Sequence, residues 1–274
     1  MAEISAKDVM KLRNQTGLPM MDCKDALEKN NGDFEMAQEY LRKKLKGKME
    51  GRTERAAGEG RVGIAIAPDN SAAAIVEIRA ETDFTAKNEK FQAAVATIAN
   101  QGLAMPAGDF QATADMLKPV DDLRISTGEN CRFSRGKVLK GAAGATRFGS
   151  YVHHDGKTGV LVQAEGDVSD ELLKQIGMHI AAANPRPLGV TAEDIPADLV
   201  EKERKFRIEQ AMESGKPQQI AEKMVEGAIK KFYSDMALVE QPFVMDPTKP
   251  IKEVVGGKGR LVAFVRWQLG ETDA

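Results

Sequence analysis

A supersecondary pattern that appears twice constrains this chain more than any other feature. Residues 61–99 read as strand, turn, strand and helix: "RVGIAIA", "PDNS", "AAAIVEIRAE", then a helix ending near Ile98. Residues 147–183 repeat the order with "RFGSYVHH", "DGKT", "GVLVQAEG" and "VSDELLKQIGMHIAAA". Each strand pair needs cover on one face, and each copy supplies a helix to provide it. The chain is therefore expected to be α+β, with duplicated sheet-plus-helix core subdomains. Asp155-Gly156 is a strong hairpin signal and "PDNS" a longer turn. Between the copies, a helix is expected around "DFQATADMLKPVDDL" and a strand through "NCRFSRGKVL".

The rest of the chain arranges itself around this pair. Residues 1–45 read as a three-helix bundle: Ser5 and Asp8 form a variant capping box, Val9 and Leu12 face inward, and Gly17 ends the first helix. A second helix follows through "MMDCKDALEKNNG", and a third starts at the capping residue Asp33. Residues 46–60, charged and without an apolar stripe, read as a linker that is partly helical. Residues 61–140 form the first core subdomain; 141–194 and 241–274 form the second. The terminal strand "RLVAFVRWQL" returns to complete its sheet, with Leu261, Ala263, Val265, Trp267 and Leu269 on one side. Residues 195–240 read as an inserted antiparallel helical hairpin, with Pro217 opening its second helix and Ile220, Met224, Ala228 and Phe232 at helical spacing.

Chemistry is harder to find. The net charge of -2, from 39 basic and 41 acidic residues, gives a polyanion no general attraction, so no direct nucleic-acid binding is expected. Apolar runs are too short and interrupted for a membrane span, and no secretory leader precedes "ISAKDVMKLR", which points to the cytoplasm. Cys23 and Cys131 stand far apart with no metal-ligand spacing. The glycines of "GKVLKGAAGA" match neither a P-loop nor GxGxxG. His153 and His154, as neighbours on a strand, are expected to point to opposite faces and not to share an ion. His179 reads as a hydrogen-bonded histidine near the core. Asp121 and Asp122 read as loop residues. No catalytic constellation, metal site or cofactor site is expected, and the architecture looks like a surface for holding another protein. A rival reading makes residues 1–45 a peptide- or ubiquitin-like-binding adaptor.

One aromatic does not fit this pattern easily. In "ETDFTAKNEKF", Asp83 is a good N-cap, and Phe91, Ala94, Val95 and Ile98 form an apolar helical face that Phe84, two turns earlier, could open. Lys87 and Asn88 interrupt the stripe, yet spacing alone favours Phe84 as a core residue, since exposed aromatics need a reason.

"LRNQTGLPMMDCKDALEKNNGDFEMAQEYLRKK", "ETDFTAKNEKF", "GSYVHHDGKTGVLV", "MHIAAANP", "AMESGKPQQIAEKMVEG" and "QPFVMD", in this order, resemble the bacterial translation elongation factor Ts family, the nucleotide exchange factors of EF-Tu. The resemblance runs from the first residues to about Gly270, and it implies that the bundle is ubiquitin-associated-like. It reverses the reading of Phe84: Thr82, Asp83 and Phe84 match a protruding motif whose Asp-Phe pair enters between helices of the EF-Tu G domain. It also implies that Met20 and Met21 meet the G domain, that His153 faces EF-Tu, and that the second subdomain reaches another EF-Tu domain. The implied activity is release of GDP without covalent chemistry, hence no enzyme and no cofactor. Thr85 departs from the valine usual in the motif. Longer members carry a C-terminal helical module beyond the point where this sequence stops, so its contact is expected to be missing.

Overall fold

Both repeated units form an antiparallel hairpin backed by a helix, and the two units meet through the sheet faces their helices leave open. The computed structural model describes residues 4–50, 54–213, 215 and 218–271; Pro217 and the linker residues 51–53 lie outside that set. The bundle comprises α1 (Ala6–Thr16), α2 (Met20–Lys29) and α3 (Phe34–Glu50). The first unit is β1 (Glu59–Ile66), β2 (Ala72–Ala80), α4 (Asp83–Lys87) and α5 (Glu89–Gly102), followed by β3 (Gly108–Phe110), α6 (Ala114–Thr127) and β4 (Arg132–Lys140). The second is β5 (Thr146–Val152), β6 (Thr158–Gly166) and α7 (Asp170–Ala182). The hairpin α8 (Ala197–Glu213) and α9 (Gln218–Met236) comes next, then β7 (Pro242–Phe243), β8 (Asp246–Pro250), α10 (Ile251–Val255) and β9 (Gly259–Gln268).

The sheets run β1-β2-β4-β3 and β5-β6-β9, and every pairing within them is antiparallel. Helices α5 and α6 cover the outer face of the first, burying Phe91 and Ile98 against Val76 and Val138. Helices α7 and α10 cover the second, burying Leu173, Ile176 and Ile251 against Val160 and Val162. Val62 and Ile75 then meet Leu161, Val265 and Trp267 between the sheets. A strand buried on both faces needs a continuous apolar run, which is why β2 reads "AAAIVEI" without alternation. The approach is close enough that a Cβ on Gly159 would lie 2.4 Å from Val62.

One charge stands inside that strand. Glu77 is fully buried and accepts from Arg79 Nε at 2.5 Å and Arg135 Nη2 at 2.8 Å. The Arg135 guanidinium lies 4.4 Å from the Trp267 ring centre, so the triad on the first sheet is bound to the second.

Several expectations are corrected. Beside the register shift at Gln163/Ala164, β6 pairs Gln163 with Ala263 but Ala164 with Leu261, leaving Val262 as an extra residue. This bulge turns Leu261 to the α7 side while Val265 and Trp267 stay between the sheets, so the five residues do not share one face. The helix expected from Asp109 starts at Ala114, because "GDF" is taken by the edge strand β3. Asp121 and Asp122 lie within α6, not in a loop; Asp122 binds Arg42 of α3 through two bonds of 2.9 and 2.8 Å. In the hairpin, Val225 and Ile229 face inward, whereas Ile220 and Met224 are exposed.

The bundle follows its local signals. Ser5 Oγ accepts from the Asp8 N–H, Gly17 ends α1 at φ 76°, and Asp33 accepts from the Met36 N–H. Helix α3 continues to Glu50, past the expected boundary at residue 45. Ile125 of α6 packs against the bundle core of Leu12, Leu27 and Leu41, tying bundle to body.

His179 is held as a neutral ring. The Val244 N–H donates to its Nδ1 at 3.2 Å, which leaves Nε2–H to donate to Gln241 Oε1 at 2.9 Å. Burial lowers its pKa below the ordinary 6.5, against the raising effect of Gln241. Below that pH the unfolded chain binds the proton more readily than the fold does, so stability falls as pH falls. The urea midpoint should decrease from pH 7.5 to 5.5, and His179→Gln should flatten that dependence; an unchanged slope contradicts the assignment. Glu77→Ala should cost about 3–5 kcal/mol in the same assay, because it strands two arginines between the sheets.

Candidate functional site

The segment after β2 is built to hold one side chain away from the core. Thr82, not Asp83, is the N-cap of α4, accepting from the Thr85 N–H at 3.3 Å. Glu129, just past the Gly128 cap of α6, grips the same residue: its Oε2 accepts from the Thr82 N–H at 3.1 Å and its Oε1 from the Thr82 hydroxyl at 2.6 Å. Bonds to a carboxylate are the stronger kind, and two on one residue fix its orientation. Glu81 accepts from the Asn130 N–H at 2.7 Å beside them. The base of α4 is therefore anchored to α6.

After one turn Asn88 breaks the helix. Its backbone is extended at ψ 137°, and its side chain caps α5 by accepting from the Lys90 N–H at 2.8 Å. The break separates Phe84 from the stripe it was expected to open. Phe91 is fully buried in α5, Thr85 and Ala86 pack inward from α4, and Phe84 is 83% exposed, the most exposed large hydrophobic among the described residues. The core reading of Phe84 is thus wrong. Asp83 stands beside it and binds Lys87 Nζ at 2.7 Å, which holds its carboxyl below the usual range.

His153 sits at the tip of the β5–β6 hairpin, where its Nδ1 lies 3.1 Å from Asp155 Oδ1. The strand ends at Val152, so the alternation expected to separate His153 from His154 does not apply, and the two rings lie 4.2 Å apart. The tip is tied to β1: the Val62 N–H donates to Gly156 O at 2.8 Å, and Lys157 binds Glu59 at 2.7 Å. Glu59 chiefly, then Asp155 and Asp83, raise the pKa of Lys157 against the lowering effect of burial.

Met20 and Met21 open α2 and are 44% and 75% exposed. The turn before them backs onto the body, where a Cβ on Gly17 would meet Ser126 of α6 at 3.4 Å and Lys90 of α5 at 3.7 Å. No hydrogen bond, ion pair or ring contact joins the methionines, Phe84 and His153 among the described residues. They share support: α6 packs on the bundle through Ile125, and Glu129 follows directly on its C-terminal cap. Sequence reasoning missed Glu129, whose only local signal is the turn glycine before it. Among the described residues no group of three or more His, Cys, Asp or Glu could hold a metal ion, and no helix is long and apolar enough to cross a membrane.

Residues 81–271 match the family model described as elongation factor TS. The chain belongs to the elongation factor Ts family. It is 43% identical to the elongation factor Ts of Sphingopyxis alaskensis over 295 aligned positions, covering 99% of this chain and 94% of the relative. The elongation factor Ts of Vibrio vulnificus is 42% identical, over 98% and 92% of the two chains, and that of Gluconobacter oxydans 43%, over 99% and 93%. The elongation factor Ts model begins at the segment that carries Thr82, Asp83 and Phe84 and includes Glu129 and His153. The bundle precedes it and is spanned by the relatives.

Removing the cap should loosen α4 without unfolding the body. Thr82→Val should speed hydrogen exchange at the Thr85 and Ala86 amides roughly fivefold, for a cap of about 1 kcal/mol, with little change in the global urea midpoint. Unchanged local exchange contradicts the assigned role of Thr82.

Proposed function

We propose that this protein is the nucleotide exchange factor of EF-Tu and that Phe84 is its wedge. The observation that carries this reading is a large aromatic, 83% exposed, on a one-turn helix whose base is fixed at both Thr82 and Asn88. An exposed phenylalanine gains about 1.5–3 kcal/mol when fully covered. That gain appears only once the partner opens a groove, so it favours the open form of the partner.

Phe84 enters between helices of the EF-Tu G domain, and Asp83, freed from Lys87, takes hydrogen bonds there and disturbs the network around the magnesium ion and phosphates. GDP then leaves and GTP takes its place. The coupling is reciprocal: the factor by which this protein weakens GDP is the factor by which GDP weakens this protein. No covalent bond is made or broken. Met20 and Met21 add an adaptable apolar contact to the G domain from the bundle of residues 1–45. Residues 61–140 present the wedge; residues 141–194 and 241–274, with His153, reach a second EF-Tu domain; the hairpin of 195–240 projects from them. An adaptor built on the bundle alone explains neither the exposed Phe84 nor relatives that align over nearly the whole chain.

Stopped-flow release of a fluorescent GDP from EF-Tu tests the reading. The intact protein should accelerate release, and Phe84→Ala should lower the rate at saturation about tenfold, the equivalent of about 1.4 kcal/mol, with its urea midpoint unchanged. Absence of acceleration by the intact protein rejects the exchange function. Equal plateau rates for the two proteins reject the wedge.

A further inference from the structure

The chain entering the first sheet from the bundle is strapped down before it reaches β1. The Arg55 carbonyl accepts from Asn130 Nδ2 at 2.7 Å, and the Ala57 carbonyl accepts from Arg79 Nη1 at 3.3 Å. Arg55 Nη1 also lies 3.6 Å from Glu81 Oε2. Ala57 and Asn130 are 5% and 2% exposed, so the strap is seated in the fold and not laid on its surface. Gly60 then lets the chain enter the sheet at φ 148°, where a Cβ would lie 2.1 Å from Ile78 O. Beneath the strap is a clasp between two segments. Glu129 takes the amide and hydroxyl of Thr82, and Glu81 returns the bond by accepting from the Asn130 N–H at 2.7 Å. Asn130 and Glu81, which close that clasp, are also the residues that hold Arg55.

We propose that Arg55 and Asn130 are positioning residues for exchange, locking the clasp under α4 so that Phe84 keeps its aim. The inference rests on the exchange-factor reading and adds to it two residues outside the Thr-Asp-Phe motif. Hydrogen bonds in a connected network support one another, so loss of the outer tie weakens the bonds beneath it. Without the strap, Glu81 loses its cation and the Asn130 side chain loses the carbonyl it donates to, at a site with little water to replace them. The clasp then loosens, α4 samples more directions, and Phe84 arrives in the partner's groove less often in the productive one.

Arg55 is half exposed and can be changed without entering the core, and its reversal sets two carboxylates against each other at Glu81. The GDP-release rate is followed against concentration of the intact protein, Arg55→Glu, Arg55→Lys and Asn130→Ala, with Arg55→Glu also combined with Phe84→Ala. The plateau rate should fall about threefold in Arg55→Glu and about fivefold in Asn130→Ala, with the half-saturating concentration within about twofold of the intact protein. Arg55→Lys should restore most of the rate. Once Phe84→Ala is present, Arg55→Glu should change the plateau by less than about 1.5-fold. Hydrogen exchange at the Thr85 and Ala86 amides should quicken in Arg55→Glu while the urea midpoint holds, which separates misdirection of α4 from unfolding. A shift in half-saturation alone means that Arg55 touches the partner directly, and an equal loss with and without Phe84 means that the strap acts elsewhere; either result overturns the proposal. If the intact protein accelerates release and both Arg55→Glu and Asn130→Ala reach its plateau, the proposal fails alone. If the intact protein gives no acceleration, the exchange reading falls and takes the positioning role with it.

Discussion

The bond pair between Thr82 and Glu129 sets the orientation of everything proposed for this molecule. A one-turn helix has too few internal hydrogen bonds to hold itself, so its direction must come from outside. Here it comes from a carboxylate that takes both the amide and the hydroxyl of the capping residue. Phe84 is directed outward because the residues around it are committed: Thr82 to Glu129, Thr85 and Ala86 to the core, and Asn88 to the cap of the next helix.

Glu129 can serve as an anchor because its own position is fixed. It follows α6, which packs through Met116, Val120 and Leu123 on the first sheet and through Ile125 on the bundle. That sheet is in turn fastened to the second by the apolar layer between them and by Arg135 over Trp267. The same back-to-back contact brings the Gly156 turn to β1 and so fixes the hairpin tip that carries His153 against the first sheet. Bundle, Phe84 and hairpin tip rest on one continuous support.

The duplicated units were legible because strand alternation, turn residues and capping signals are local, and Ser5, Gly17, Asp33 and Gly156 behave as their chemistry dictates. The terminal strand was legible in place but not in facing: a bulge opposite Gln163 depends on the partner strand, so Leu261 could not be placed from its own sequence. Phe84 shows the limit most clearly. Periodicity joined it to Phe91, whereas the break at Asn88 depends on a cap that periodicity does not weigh; only the family resemblance placed Phe84 outward. Glu129 lies 47 residues from Thr82, and no spacing rule links them. The pairing of Arg186 and Arg266 through Glu271 was equally invisible, being made by three segments that meet only in the fold.

The most direct test of the account is a double-mutant cycle on the plateau rate of GDP release from EF-Tu, with Glu129→Ala, Phe84→Ala and the two combined. If Glu129 acts by aiming Phe84, its removal slows release while Phe84 is present and adds almost nothing once Phe84 is gone. Additive losses would mean that Glu129 contributes independently of the phenylalanine, and the claim that an anchored one-turn helix delivers the wedge would be contradicted.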